Sequence, residues 1–182
     1  MMQLETDKII FTGPVGAGKT SAIAAISDAP PVSTDVVCTG AERQLKATTT
    51  VAMDYSYIQL DEQRIHLYGT PGQERFQFMW EILTRGGLGL VLLINNDHPD
   101  PVAQMDFYLD AFADFIEETG VVIGITRRGI NDHARLEDFQ NRLLERGQIY
   151  PVIEIDGREP EDIRILIGAL LAVLDYQDIP GE

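Results

Sequence analysis

Cysteine and tryptophan occur once each in 182 residues, and histidine three times. The lone Cys38 cannot close an internal disulfide, which suits a reducing compartment. His66, His98 and His133 stand far apart and lack the spacing of metal ligands, so they read as structural or surface residues. Cations are also scarce: 14 Lys and Arg against 29 Asp and Glu leave a formal charge of −15. A surface of that sign repels nucleic acid and anionic lipid, and neither is expected as a partner. No apolar run approaches the length of a membrane span. The opening Met1-Met2-Gln3-Leu4-Glu5 lacks the charged-then-apolar pattern of a secretory leader, and no lipidation motif is present. These absences point to a soluble, cytoplasmic protein with no direct membrane insertion. The length suits one domain spanning 1–182, with no repeat or linker.

What is present is concentrated in one stretch. Gly13-Pro14-Val15-Gly16-Ala17-Gly18-Lys19-Thr20 reads G-x-x-x-x-G-K-T, a phosphate-binding loop. An apolar segment, Lys8-Ile9-Ile10-Phe11-Thr12, precedes it, and the alanine-rich Ser21-Ala22-Ile23-Ala24-Ala25-Ile26 follows. Strand, loop and helix is the context the pattern needs. Glycines let the backbone N–H groups of residues 13–18 turn inward around an anion. The helix that starts near Lys19, Thr20 and Ser21 aims its free N–H groups and its dipole at the same point. Lys19 adds a formal charge for the β- and γ-phosphates, and the Thr20 hydroxyl is placed to ligate Mg²⁺.

The rest of the chain alternates strand and helix signals. Asp28 to Ala47 is polar and aperiodic, with Pro30-Pro31 and Gly40, and reads as a long functional loop. Thr50 to Leu60 and Arg64 to Tyr68 alternate apolar and polar residues across a turn at Asp61-Glu62-Gln63, which predicts a β-hairpin. Phe78 to Thr84 reads as a helix. Leu88 to Ile94 and Val121 to Thr126 are continuous apolar runs, as in buried parallel strands. Met105, Tyr108, Leu109, Phe112, Phe115 and Ile116 fall at helical spacing and predict one helix over Pro101 to Glu118. A helix stopped by Gly147, a strand over Tyr150 to Ile155, and a helix marked by Ile163, Leu166, Ile167, Leu170, Leu171 and Leu174 complete the chain. The expectation is a three-layer α/β fold of the P-loop NTPase kind. Its sheet would have six strands, mostly parallel with one antiparallel, and about five helices.

Later motifs narrow the type. Thr70-Pro71-Gly72-Gln73-Glu74-Arg75-Phe76 resembles the T-A-G-Q-E-R-F of a Ras-like switch II, with Pro71 for Ala. Thr50-Val51-Ala52-Met53-Asp54-Tyr55 resembles the end of switch I. Together with the P-loop they resemble small Ras-like GTPases, and within these the bacterial MglA-like, roadblock-linked group, over nearly the whole chain. The resemblance implies a small G-domain that binds GTP and GDP with Mg²⁺ and hydrolyses GTP. It implies that Thr50 ligates Mg²⁺ through its hydroxyl, although Thr48 and Thr49 offer the same group. Gly72 would bond the γ-phosphate through its N–H, and Gln73 would orient the attacking water. Lys19, Thr50 and Gln73 are thus the catalytic candidates, with Thr20 and Thr50 on the metal. It further implies a roadblock/LC7-type regulatory partner and an effector that reads the switch loops, in bacterial polarity, motility or surface behaviour.

Three departures from that pattern matter. The aspartate that opens switch II is Gly69, so the metal shell loses a carboxylate. The third loop residue is Val15, whose side chain crowds the γ-phosphate and points to slow hydrolysis. After Thr126 and Arg127 the base-reading N-K-x-D loses its acid, since Asp132 lies three residues late. Arg127 can lay its stem along the base, and Asp156-Gly157-Arg158 takes the place of the loop that touches the base oxygen. Arg43 and Arg75 are candidates for an arginine finger in cis. Phe76, Phe78, Met79 and Trp80 form either a partner surface or core. Two other readings stay open: a nucleotide-binding module with little turnover or relaxed GTP/ATP choice, and a P-loop small-molecule kinase.

Overall fold

A computed structural model describes residues 7–38, 49–60, 62–127, 129 and 132–177. Its strands are β1 (Lys8–Thr12), β2 (Val32–Cys38), β3 (Thr49–Leu60), β4 (Gln63–Gly69), β5 (Gly89–Asn95), β6 (Val121–Thr126) and β7 (Val152–Glu154). Its helices are α1 (Lys19–Ile26), α2 (Gln77–Thr84), α3 (Pro101–Ala111), α4 (Ala113–Glu118), α5 (Leu136–Glu145) and α6 (Pro160–Gln177). A single 3-10 turn, Glu74–Phe76, leads into α2. The seven strands form one sheet in the order β2-β3-β4-β1-β5-β6-β7. Only β3 runs against the others, because it is antiparallel to both β2 and β4 while β4, β1, β5, β6 and β7 pair in parallel.

Residue periodicity explains the layers. On β1, Ile9 and Phe11 enter one core with Ile23 of α1 and Leu166 and Leu170 of α6. Ile10, between them, enters the other core with Trp80, Tyr108, Ile116 and Phe139 from α2, α3, α4 and α5. A strand buried on both faces has no polar side to show, hence the unbroken apolar runs in β5 and β6. The chain leaves β1 toward the β4 side of the sheet and then returns to place β5 on the other flank. The carboxyl ends of β1 and β5 therefore border the crevice where ligands sit in open α/β sheets.

Two expectations are corrected. The sheet has seven strands, because Val32–Cys38 lies within the span read as loop and pairs along β3 from Val32↔Tyr55 to Cys38↔Thr49. That strand is held by partners far along the chain, and its own residues carry little periodic signal. Helices number six among the described residues, because the helix expected over Pro101 to Glu118 breaks at Phe112 (φ −108°, ψ 14°). Phe112 is buried and its ring stacks on Trp80 at 5.0 Å between centroids. Apolar spacing continues through such a break and conceals it.

The α6 face of the sheet is packed to the limit at Gly124. A methyl group there would lie 2.8 Å from Leu93 Cδ2, 3.0 Å from Ile155 Cδ1 and 3.1 Å from Leu166 Cδ2. Overpacking of this kind costs about 1–3 kcal/mol. Gly124→Ala should lower the unfolding free energy by that margin, read as a lower urea midpoint with an unchanged slope. An unchanged midpoint would show that this interface yields freely.

Candidate nucleotide site

The loop between β1 and α1 wraps a point at the carboxyl end of the sheet. Gly13 has φ +141°, and a Cβ there would lie 2.1 Å from the Leu93 carbonyl oxygen, so only glycine fits against β5. Gly18 takes a left-handed conformation (φ 95°) at the N-cap of α1, with no side chain capping the helix. The first N–H groups of α1 thus lack an acceptor of their own side-chain kind and face the loop. Ala17 is buried, Gly16 is exposed, and Val15 is 66% exposed over the loop.

Lys19 is buried beneath this loop. Its ammonium donates to the carbonyls of Gly13 at 2.7 Å and Pro14 at 2.8 Å. Burial pulls its pKa down to about 8, and the negative Asp54 offsets part of that shift. Over it lies the segment that opens at Thr70. The Thr70 amide continues the β4–β1 ladder to Phe11 at 2.8 Å, and its hydroxyl meets that of Thr12 at 2.8 Å. Gly72 then sits on the phosphate loop so closely that a Cβ would be 2.7 Å from the Val15 nitrogen and 2.8 Å from Lys19 Nζ. The sequence placed Gly72 beside the γ-phosphate, and the backbone lies against the same lysine and loop. Gln73 follows as an exposed residue leading the 3-10 turn.

A carboxylate stands beside Gly69 on the neighbouring strand. Asp54 on β3 stands directly across from Gly69 on β4 and accepts a hydrogen bond from the Thr20 hydroxyl. A Cβ at Gly69 would be 3.2 Å from Asp54 Cβ and 3.4 Å from its Oδ2. Glycine at 69 and aspartate at 54 therefore share one space, and an acid stands beside Thr20 although position 69 carries none. The signal was present as an acid on the inward phase of β3, in step with the buried Ser56 and Ile58. Thr50 pairs with Val37 in the sheet. Its side chain, together with Thr48 and Arg43, lies outside the described residues.

On the base side, Thr126 donates from its hydroxyl to the Ala17 carbonyl at 2.9 Å. Arg127 donates from Nε to the Gly16 carbonyl at 3.1 Å and takes a left-handed backbone (φ 57°) to do so. A non-glycine residue in that conformation costs on the order of 1 kcal/mol and is held there by its surroundings. These two residues brace the phosphate loop. Asp132 does not supply the acid of N-K-x-D: its Oδ1 accepts from Asn96 Nδ2 at 3.1 Å and from the Gly129 amide at 2.9 Å. A cleft of about 500 Å³ remains, lined by Gly18, Ser21, Thr126, Arg127 and the Asp156-Gly157-Arg158 loop among others. That volume suits a nucleoside.

Two residues outside the motifs hold the lid. Trp80 Nε1 donates to the Pro71 carbonyl at 3.0 Å, and the Tyr108 hydroxyl donates to the Gly72 carbonyl at 3.1 Å. Trp80 and Met79 are buried and belong to the core, whereas Phe76 and Phe78 are half-buried. The partner surface considered for these four residues is thus reduced to Phe76 and Phe78. Arg75 is exposed and lies over the Phe76 ring.

A polyphosphate must find Lys19 charged. With its pKa near 8 in the free protein, affinity for a nucleoside triphosphate should be flat below pH 8. Above that pH binding must take up a proton, so affinity should fall by up to about tenfold per pH unit. Calorimetry at pH 8.5 in buffers of different ionisation enthalpy would detect the proton. Binding with no proton uptake would show that the ammonium stays charged without the phosphate.

The comparisons with known proteins bear on this site. An uncharacterized protein of Methanocaldococcus jannaschii is 31% identical over 93 residues, which are 50% of this chain and 53% of that protein. The chain thus spans about half the length of the curated relative it matches. A family described as "Conserved hypothetical ATP binding protein" matches residues 35–141, a span that holds β3 to β6, the 70–76 loop and the Asn96 cluster. With a mixed α/β sheet, a phosphate loop at the end of its β1 strand and a nucleoside-sized cleft beside it, the chain belongs to that family of nucleotide-binding P-loop proteins.

Proposed function

We propose that this protein is a nucleotide switch of the small Ras-like kind, which binds GTP, hydrolyses it slowly and signals through the 70–76 loop. The observation that carries this reading is the seat of Gly72 on Lys19 and Val15. A γ-phosphate entering the cradle takes the place that loop now presses upon. The Gly72 N–H can then bond the phosphate, and the Pro71 and Gly72 carbonyls must shift against Trp80 and Tyr108. Such a loop has two discrete arrangements, which is what a switch requires.

The chain's own groups supply most of the chemistry. The residue 13–18 amides, the α1 N-terminus and Lys19 neutralise charge on the phosphates, and Gln73 holds a water in line. Thr20 and Asp54 offer the hard oxygen ligands that suit Mg²⁺ and would hold it beside the phosphates, with Thr50 a further candidate from the resemblance. When bound, the metal would offset charge on the transferring phosphoryl group. A roadblock-type regulator and an effector would read Phe76, Phe78 and the loop before them. Binding without turnover is the second reading, and Val15, 66% exposed over the phosphate loop, favours it, because a branched side chain there would crowd a γ-phosphate and its attacking water.

One titration tests the proposal. The ligand-free protein is mixed with GTP, GDP, ATP and ADP, with and without Mg²⁺, while the emission of Trp80, the sole tryptophan, is followed. The triphosphate should change Trp80 emission and the diphosphate should not, since only the former displaces the loop. Equal responses to both would refute a switch. Single-turnover hydrolysis should be slow and should speed up in Val15→Gly; no turnover in either protein would leave the binding-module reading standing alone. Asp54→Asn should raise the Mg²⁺ concentration needed for tight binding by about 10- to 100-fold. An unaltered Mg²⁺ requirement would remove Asp54 from the metal's surroundings.

A further inference from the structure

We propose that Asp156 is the carboxylate that reads guanine, in place of the acid absent at Gly129. The inference rests on the nucleotide-binding reading above and adds which base is chosen and by which atom pair. The cleft has three carboxylate residues on its wall: Glu154, Asp156 and Asp162. Asp162 spends Oδ2 on the Asp156 amide at 2.8 Å and so fixes the backbone from which the Asp156 side chain projects. Gly157, the next residue, lies against the phosphate loop, where its Cβ would be 3.5 Å from the Gly18 carbonyl oxygen. Asp156 is therefore held at the rim of the same cleft as Thr126 and Arg127, which brace the phosphate loop.

The carboxylate is already engaged by a fork of two N–H donors. Arg158 donates from Nε to Oδ1 at 2.9 Å and from Nη2 to Oδ2 at 2.6 Å, and its own amide adds a bond to Oδ1 at 2.9 Å. These bonds, the side-chain ones foremost, hold the Asp156 carboxyl well below the usual carboxylate range, so it is ionised and can only accept. Guanine presents the same fork along its N1–H and 2-amino edge. Adenine lacks the 2-amino group and has a bare acceptor at N1, which would face the carboxylate lone pairs. The Arg158 side chain is 80% exposed, and an ion pair so open to water contributes little, so a base can displace it. A polar site built this way rejects the analogue that leaves it unpaired.

The test is a base exchange. The full chain, wild type and Asp156→Asn, is titrated with the triphosphates of guanosine, adenosine and xanthosine, with thermal melting to confirm the fold. Xanthine carries a carbonyl where guanine carries its 2-amino group, so the side-chain amide that the substitution introduces should pair with it. Wild type should prefer GTP over ATP by about a hundredfold or more. Asp156→Asn should weaken GTP and strengthen XTP by at least about tenfold each. The proposal is overturned if wild type takes ATP as tightly as GTP, if Asp156→Asn keeps the GTP-over-XTP order, or if that variant loses all nucleotides alike. Failure of the wild-type chain to bind any triphosphate would instead strike the nucleotide-binding reading itself, and the base assignment with it.

Discussion

A single buried ammonium organises the active end of this molecule. Lys19 has given up most of its hydration, and two backbone carbonyls of its own loop stand in for the lost water. Burial pulls the pKa of this cation down to about 8, and the nearby Asp54 offsets part of that cost. The arrangement is tolerable because phosphate oxygens can take over from the carbonyls. The elements around it serve this one position: Gly13 brings the loop against β5, Gly18 opens the helix, and Gly72 closes the space from above.

From that point the structure runs outward without a gap. Thr12 and Thr70 tie the phosphate strand to the start of the lid. Pro71 and Gly72 are gripped by Trp80 and Tyr108, and Trp80 stacks on Phe112 where α3 gives way to α4. Packed cores shift between discrete arrangements more readily than they deform. Static contacts thus connect the 70–76 segment to α2 and to the α3–α4 break through the Trp80, Tyr108 and Phe112 rings.

Much of the fold was legible because its signals are local. The G-x-x-x-x-G-K-T loop, the apolar runs of β5 and β6, and the spacing of Ile163, Leu166, Ile167 and Leu170 each lie within one element. Strand β2 was hidden because its order comes from β3, a partner far along the chain. The helix break at Phe112 was hidden because a kink does not alter which residues are apolar. Within the site, the bonds from Thr126 and Arg127 to the phosphate loop, and the place of Asp54 opposite Gly69, depended on residues brought together from distant strands.

The sequence by itself determined the phosphate cradle, the three-layer α/β class and the position of the lid, since each is written in contiguous residue types whose backbone preferences act over a few bonds. Only the tertiary structure decided where the acids go. Asp54 faces Gly69 and accepts from Thr20, Asp132 accepts from Asn96 and Gly129, and Asp156 lines the cleft. A carboxylate's role is set by the donors that reach it through space, and in this fold those donors come from strands and loops far apart in the chain.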